Sequence, residues 1–112
     1  MLNVQNESVG NAHVVLKLQG SLDALTVPEV RPQVDRLIER GPLKVVVDMS
    51  RVTTIDSSGV AVVVSLFKRM NALGGAVRVA GVNGQPKAIF EILRLDQSLP
   101  VFASVDEAMA GF

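Results

Sequence analysis

Leu43-Lys44-Val45-Val46-Val47-Asp48-Met49 leads, through Ser50-Arg51-Val52-Thr53-Thr54-Ile55, to Asp56-Ser57-Ser58-Gly59 and then to Val60-Ala61-Val62-Val63-Val64-Ser65-Leu66-Phe67-Lys68-Arg69-Met70. The first run is largely apolar and β-branched, which suits a central strand covered on one face or both. The last run carries apolar residues three and four apart and is too long for a strand. It predicts a helix over Ser57–Leu73, closed by Gly74-Gly75. Between the two the chain turns polar, so the strand is expected to end near Asp48 and a loop to follow. Ala76-Val77-Arg78-Val79-Ala80 reads as the next strand, which completes a strand–helix–strand unit with parallel neighbours.

The flanks extend this pattern. Leu2-Asn3-Val4-Gln5, the turn Ser8-Val9-Gly10-Asn11, and Val14, Leu16 and Leu18 alternating with His13, Lys17 and Gln19 make a hairpin. Thr26-Val27-Pro28-Glu29 has the form of a capping box. Val27, Val30, Val34, Leu37 and Ile38 continue it as a helix up to Gly41-Pro42. Pro32 denies Pro28 its hydrogen bond, so a kink or a later helix start is expected. A third helix starts at Asn83 or Gly84 and carries Ile89, Phe90, Ile92 and Leu93. Val101-Phe102 is a short last strand, and Ser104-Val105-Asp106-Glu107 opens a C-terminal helix with a second capping box. The expected fold is α/β: a mixed sheet of four to five strands with about four helices, in one domain over residues 1–112.

Composition narrows the function. With 48% hydrophobic and 20% charged residues the chain is globular rather than disordered. Eleven basic and eleven acidic residues cancel, which leaves no basic excess for a nucleic-acid partner. Cys is absent and His13 is the single histidine, so thiolate and multi-histidine metal sites and Cys nucleophiles are excluded. No metal or cofactor is expected. Met1 to Glu7 shows neither the positive start nor the apolar run of a signal peptide. The most apolar window, Gly59 to Phe67, falls short of the roughly 20 residues a bilayer requires. A cytoplasmic protein without a membrane partner is the expectation.

The chemistry concentrates at Asp56-Ser57-Ser58-Gly59. A helix start there leaves the first backbone N–H groups without intrahelical partners and puts about half a positive charge beside the serines. A phosphate on Ser57 or Ser58 is accommodated by such an end, and Gly59 leaves the backbone bare beside the hydroxyl. The modification adds about −1.5 to −2 charges next to Asp56, enough to repel a partner matched to a neutral hydroxyl. The structural alternative is plain: Ser, Asp and Gly are ordinary cap residues. Val60, Val63, Val64, Phe67 and Met70 form one apolar stripe of the helix, assigned to the sheet, with Val62 and Leu66 on another side. That second face is either covered by further protein or is a docking patch beside the serines. Gly20-Ser21-Leu22-Asp23 leaves the second strand at the same sheet edge, the edge where α/β sheets place their sites. Asp23 is there either a turn residue or, with Asp56, a flank of Ser58. His13 reads as an exposed strand residue.

On Gly20-Ser21-Leu22-Asp23, Val45-Val46-Val47-Asp48-Met49-Ser50 and Ile55-Asp56-Ser57-Ser58-Gly59-Val60, with the long helix and Gly74-Gly75 behind them, the chain resembles the STAS domain family, and within it the single-domain anti-sigma factor antagonists. The resemblance runs the length of the chain. It implies a non-enzymatic partner switch. The unphosphorylated form binds an anti-sigma factor that is also an ATP-dependent serine kinase and so releases a sigma factor. The kinase phosphorylates Ser58 and the complex parts, and a serine phosphatase restores the hydroxyl. Asp23 matches a family position near the phosphorylated serine, and Ser57, Gly59 and Val60 belong to the implied contact surface, to which Asp56, Val62 and Leu66 are added from the residue reading. Two other readings stand beside it. One is a constitutive accessory subunit of a lipid-transport or stress-sensing assembly, with Ser58 only a cap. The other is a small hydrolase pairing Ser58 with His13, for which Gly-x-Ser-x-Gly is missing.

Overall fold

The computed structural model describes residues 2–112. Its elements are β1 (Leu2–Val9), β2 (His13–Leu22), α1 (Val27–Glu39), β3 (Lys44–Ile55), α2 (Ser57–Ala72), β4 (Ala76–Ala80), α3 (Gly84–Ile92), α4 (Leu95–Ser98), β5 (Val101–Phe102) and α5 (Val105–Met109). The five strands lie in the order β1-β2-β3-β4-β5. The β1–β2 hairpin is antiparallel and every other neighbour is parallel. The expected mixed α/β sheet is present, with the short α4 as an element the sequence pattern did not announce.

Strand alternation sorts the two faces. Val14, Leu16 and Leu18 of β2, Val45 and Val47 of β3, and Val77 and Val79 of β4 point to one side, where α1, α2 and α3 cover them in the main core. Val15, Val46 and Ala80 point to the other side, where Ala108 of α5 meets them with Phe102, Val105, Met109 and Phe112. Beyond the reach of α5 the same side of the sheet is polar, with Lys17, Gln19, Ser50 and Arg51 exposed. None of the helices is long and apolar enough to cross a membrane, among the described residues.

Two boundaries differ from the sequence expectation. β3 does not end near Asp48 but continues to Ile55, because β2 also runs on through Gly20-Ser21-Leu22 and pairs with it. The register explains why this extension lacks a strand pattern. From Lys17 to Gln19 is two residues on β2, while the partners Asp48 to Arg51 span three on β3; Gly20 to Ser21 is one, against Val52 to Thr54, two. Each extra residue is a bulge. The bulges turn a period of two into a period of three, so Met49, Val52 and Ile55 are buried while the polar residues between them face water.

α1 does not start late. It begins at Val27 and runs through Pro32, whose ring, like Pro28, is on the exposed side, where water can take the orphaned carbonyl. Its capping box is absent. Thr26 is buried, and its hydroxyl bonds backward to the Ser21 carbonyl at 2.8 Å instead of forward into the helix. The second capping box is nearly reciprocal: Ser104 Oγ accepts the Glu107 N–H, and Glu107 accepts the Ala103 N–H. His13 is not an exposed residue. It is half-buried under Phe112, with its Nε2 2.8 Å from the Phe112 carbonyl oxygen.

Candidate functional site

The C-terminal ends of β2, β3 and β4 deliver three turns to one edge of the sheet: 23–26 before α1, Asp56 before α2, and 81–83 before α3. Asp56 sits at the centre. It is extended (φ −117°) and is the N-cap of α2, with its Oδ1 accepting the Gly59 N–H at 3.0 Å. Its Oδ2 reaches across to the Ala24 N–H, also at 3.0 Å. One carboxylate therefore closes the first turn of α2 and ties the 23–26 turn to it. The Gly59 N–H foremost, with the Ala24 and Ser58 amides, holds the Asp56 carboxyl below the ordinary aspartate range, against a smaller opposing effect of desolvation.

The 23–26 turn is itself heavily bonded. Asp23 Oδ1 accepts the N–H groups of Leu25 and Thr26 at 3.0 and 3.1 Å. Thr26 Oγ1 accepts the Asp23 N–H at 3.0 Å. Asp23 thus serves as the turn residue its sequence context allowed, and through Ala24 it is joined to Asp56.

Ser57 is exposed and Ser58 is half-buried in the first turn of α2. Neither hydroxyl forms a hydrogen bond among the described residues, and no side-chain polar atom there is buried without a partner. Ser58 is therefore neither the cap nor a sealed core group. Arg69 bonds Asp35 of α1 at 3.0 Å, which turns the stripe Ser58–Val62–Ser65–Arg69 toward α1. Ser58 accordingly lies on the side of α2 that faces the turn entering α1.

Three of the surface residues expected from sequence are in the core. Val62 and Leu66 are 2% and 1% exposed, and with Gly59, Val63 and Met70 they form the buried stripe of α2. Val63 and Met70 of the stripe assigned to the sheet are buried as expected, but Val62 and Leu66 are buried in place of Val60, Val64 and Phe67, because α2 packs against α1 as well as the sheet. Val60, Val64 and Phe67 are the half-buried apolar flank. Gly59 does not leave the backbone bare. A Cβ there would run into the Leu22 carbonyl oxygen, and would lie 2.8 Å from Ile55 Cγ1. It is glycine so that α2 can start hard against the ends of β2 and β3.

Two residues at the start of α3 escaped the sequence reading, because a single amide side chain there carries no pattern. Beyond Ala80, β4 stops pairing with β3, whose backbone would be left open. The Gln85 side chain fills the place of a strand, accepting the Ile55 N–H at 2.8 Å and donating to the Ile55 carbonyl at 3.0 Å. Asn83 Nδ2 donates to the Ser50 carbonyl at 3.1 Å. The residue before Asp56 is fixed in this way from the α3 side.

His13 is far from this edge. It pairs with Lys44 at the start of the β2–β3 ladder, while Leu22 and Ile55 end it. The nine steps between correspond to about 30 Å of strand. No cluster of His, Asp and Glu suited to a metal ion is formed among the described residues.

The STAS domain family model matches residues 3–108. The anti-sigma F factor antagonist of Paenibacillus polymyxa is 29% identical over 103 residues, 90% of this chain and 88% of the relative. Among solved structures, an anti-sigma factor antagonist from Mycobacterium paratuberculosis superimposes with a TM-score of 0.89 at 18% identity, covering 99% of this chain and 93% of that one. The phosphorylated form of the Bacillus cell fate determinant SpoIIAA gives 0.76 at 25% identity, covering 96% and 97%.

Proposed function

The chain belongs to the STAS domain family, and from that premise we propose that it is an anti-sigma factor antagonist switched by phosphorylation of Ser58, in one STAS domain spanning residues 1–112. In the unphosphorylated state it binds an ATP-dependent anti-sigma factor kinase in the cytoplasm and frees the sigma factor or other target. Phosphorylation of Ser58 dissolves the complex, and a serine phosphatase resets it. Asp23, Asp56, Ser57 and Val60 lie on the contact surface with Ser58. The chain itself performs no chemistry.

One observation carries this reading. The Ser58 hydroxyl stands uncommitted in the first turn of α2, while Asp56 does the capping. A hydroxyl with no structural duty at a helix N-terminus can be modified without dismantling the fold. The added charge of about −1.5 to −2 lies two residues from the Asp56 carboxylate, so a partner surface fitted to the free hydroxyl meets repulsion and a desolvation cost. The relatives named anti-sigma factor antagonists, and SpoIIAA with its phosphorylated form, support the same direction.

The accessory-subunit reading needs Ser58 as a cap, and that role is taken by Asp56. The deciding experiment is mass spectrometry of the full chain after incubation with ATP and each ATP-dependent anti-sigma factor kinase of the source genome. A single phosphate on Ser58 is the expected product. Phosphate on another residue, or none, overturns the proposal.

A further inference from the structure

Leu25 is 88% exposed, the highest exposure of any large apolar side chain among the described residues. A lone exposed leucine is ordinary on a protein surface. The way this one is held is not. Its own N–H is bound by Asp23 Oδ1, the next N–H by the same oxygen, and the preceding N–H by Asp56 Oδ2. The buried Thr26 locks the base of the turn to Ser21 and Asp23. The apolar tip thus belongs to a rigid turn, and it cannot leave the neighbourhood of α2 without breaking the Ala24–Asp56 bond. Ile92, 74% exposed, has no such scaffold: it ends α3 two residues before the left-handed Arg94.

An apolar tip on a turn held by Asp23 and Asp56, and tied through Asp56 to the helix start that carries Ser57 and Ser58, has the anatomy of an interface hot spot, an apolar centre beside polar groups. Ordering a loop on binding costs free energy, and here the loop is ordered beforehand. We infer that Leu25 is the apolar anchor by which this chain engages its partner, seated in a hydrophobic pocket of the serine kinase that acts on Ser58. The inference rests on the reading of Ser58 given above. It assigns partner choice to Leu25 and the on–off control to Ser58, two residues on adjoining turns joined by Asp56.

The test is titration calorimetry and steady-state phosphorylation of the full chain with the ATP-dependent anti-sigma factor kinase of the source genome that phosphorylates Ser58. Leu25→Ala weakens Kd and raises KM by at least about tenfold, with kcat within about twofold of wild type, as expected of a lost anchor. Leu25→Asp loses more, Leu25→Met restores most of the affinity, and Ile92→Ala behaves as wild type. Tm is the same in all four, since neither side chain packs in the core. If Leu25→Ala keeps Kd and KM within about twofold while Ser58→Glu abolishes binding, Leu25 is not the anchor and the Ser58 switch survives. If no such kinase binds even the wild-type chain, the Ser58 reading fails and takes this inference with it.

Discussion

The Asp56 carboxylate accepts the Ala24 N–H at 3.0 Å through Oδ2 while its Oδ1 caps α2 on the Gly59 N–H at the same distance. A side chain that reads in sequence as a helix cap is also the clasp between two loops. Replacing it should loosen both.

Asp56→Ala is expected to lower Tm, and Asp56→Asn to lower it less, because the amide oxygen still accepts one N–H. The acid response follows from the lowered Asp56 pKa. In the unfolded chain the group titrates near roughly 3.9. Protonation therefore favours unfolding. The contribution is complete above that value and is lost as pH falls through the lower, folded-state pKa. The Tm difference between wild type and Asp56→Asn should be steady at neutral pH and narrow only in the acid range below the unfolded pKa. A difference that stays constant into strong acid removes the carboxylate from this role.

Ser58→Ala should leave stability within about 0.5 kcal/mol of wild type, because no hydrogen bond is lost at a half-buried surface hydroxyl. The same variant should stay bound to the kinase in the presence of ATP, whereas Ser58→Glu should bind weakly. Thermal melts and gel filtration of the mixture report the two outcomes separately. A substantial fall in Tm for Ser58→Ala would return the residue to the structural role.

Gly59→Ala places a methyl against the Leu22 carbonyl oxygen and 2.8 Å from Ile55 Cγ1. Backbone oxygen cannot swing aside, so either α2 or the end of β2 must shift. A loss of about 1–3 kcal/mol is expected from such overpacking, read from urea unfolding. Unchanged stability would mean that the start of α2 is looser than its packing indicates.

The apolar stripes of α2 make a direct comparison. Leu66→Ala removes a fully buried side chain and should cost about 2–5 kcal/mol. Val64→Ala, on the half-buried flank, should cost about 1 kcal/mol, with only part of its area leaving the interior. Equal costs would show that the two flanks are buried alike. The sequence reading put these residues the other way round for a physical reason. A helix with Val at four of the five positions from Val60 to Val64, followed by Leu66, Phe67 and Met70, is apolar over more than half its circumference, and periodicity then ranks no stripe above another. Arg69, through Asp35, and the cramped Gly59 decide the orientation, and neither carries a hydrophobic signal.

Most of the architecture was legible because alternation in β2 and three- and four-residue spacing in α1 and α2 are local patterns. What escaped depends on contacts distant in sequence. The second half of β3 was read as a loop because its two bulges erase the alternation. Asp56, Ser58 and Asp23 were legible from the chemistry of helix starts and turns. The exposure of Leu25 was not, since nothing in a residue's identity tells whether its neighbours will cover it.

Gln85 is the strictest test of the edge that presents Ser58. Its amide makes both backbone hydrogen bonds that a sixth strand-like neighbour would offer to Ile55, one accepted at 2.8 Å and one donated at 3.0 Å. Gln85→Ala frees both groups at a part-buried position, where water can reach in and recover some of the loss, so about 0.5–1.5 kcal/mol is expected. Gln85→Glu keeps the acceptor for the Ile55 N–H but sets a carboxylate against the Ile55 carbonyl, and should be no better than alanine. Since Ile55 immediately precedes the Asp56 cap, the loosening should spread into the first turn of α2. Amide hydrogen exchange at Ile55, Gly59 and Val60 should quicken together in Gln85→Ala, with Val45 and Val47 in the centre of the sheet unaffected. Faster exchange at Ile55 alone would make Gln85 a local plug, with Asp56 sufficient by itself to hold the serine turn in place.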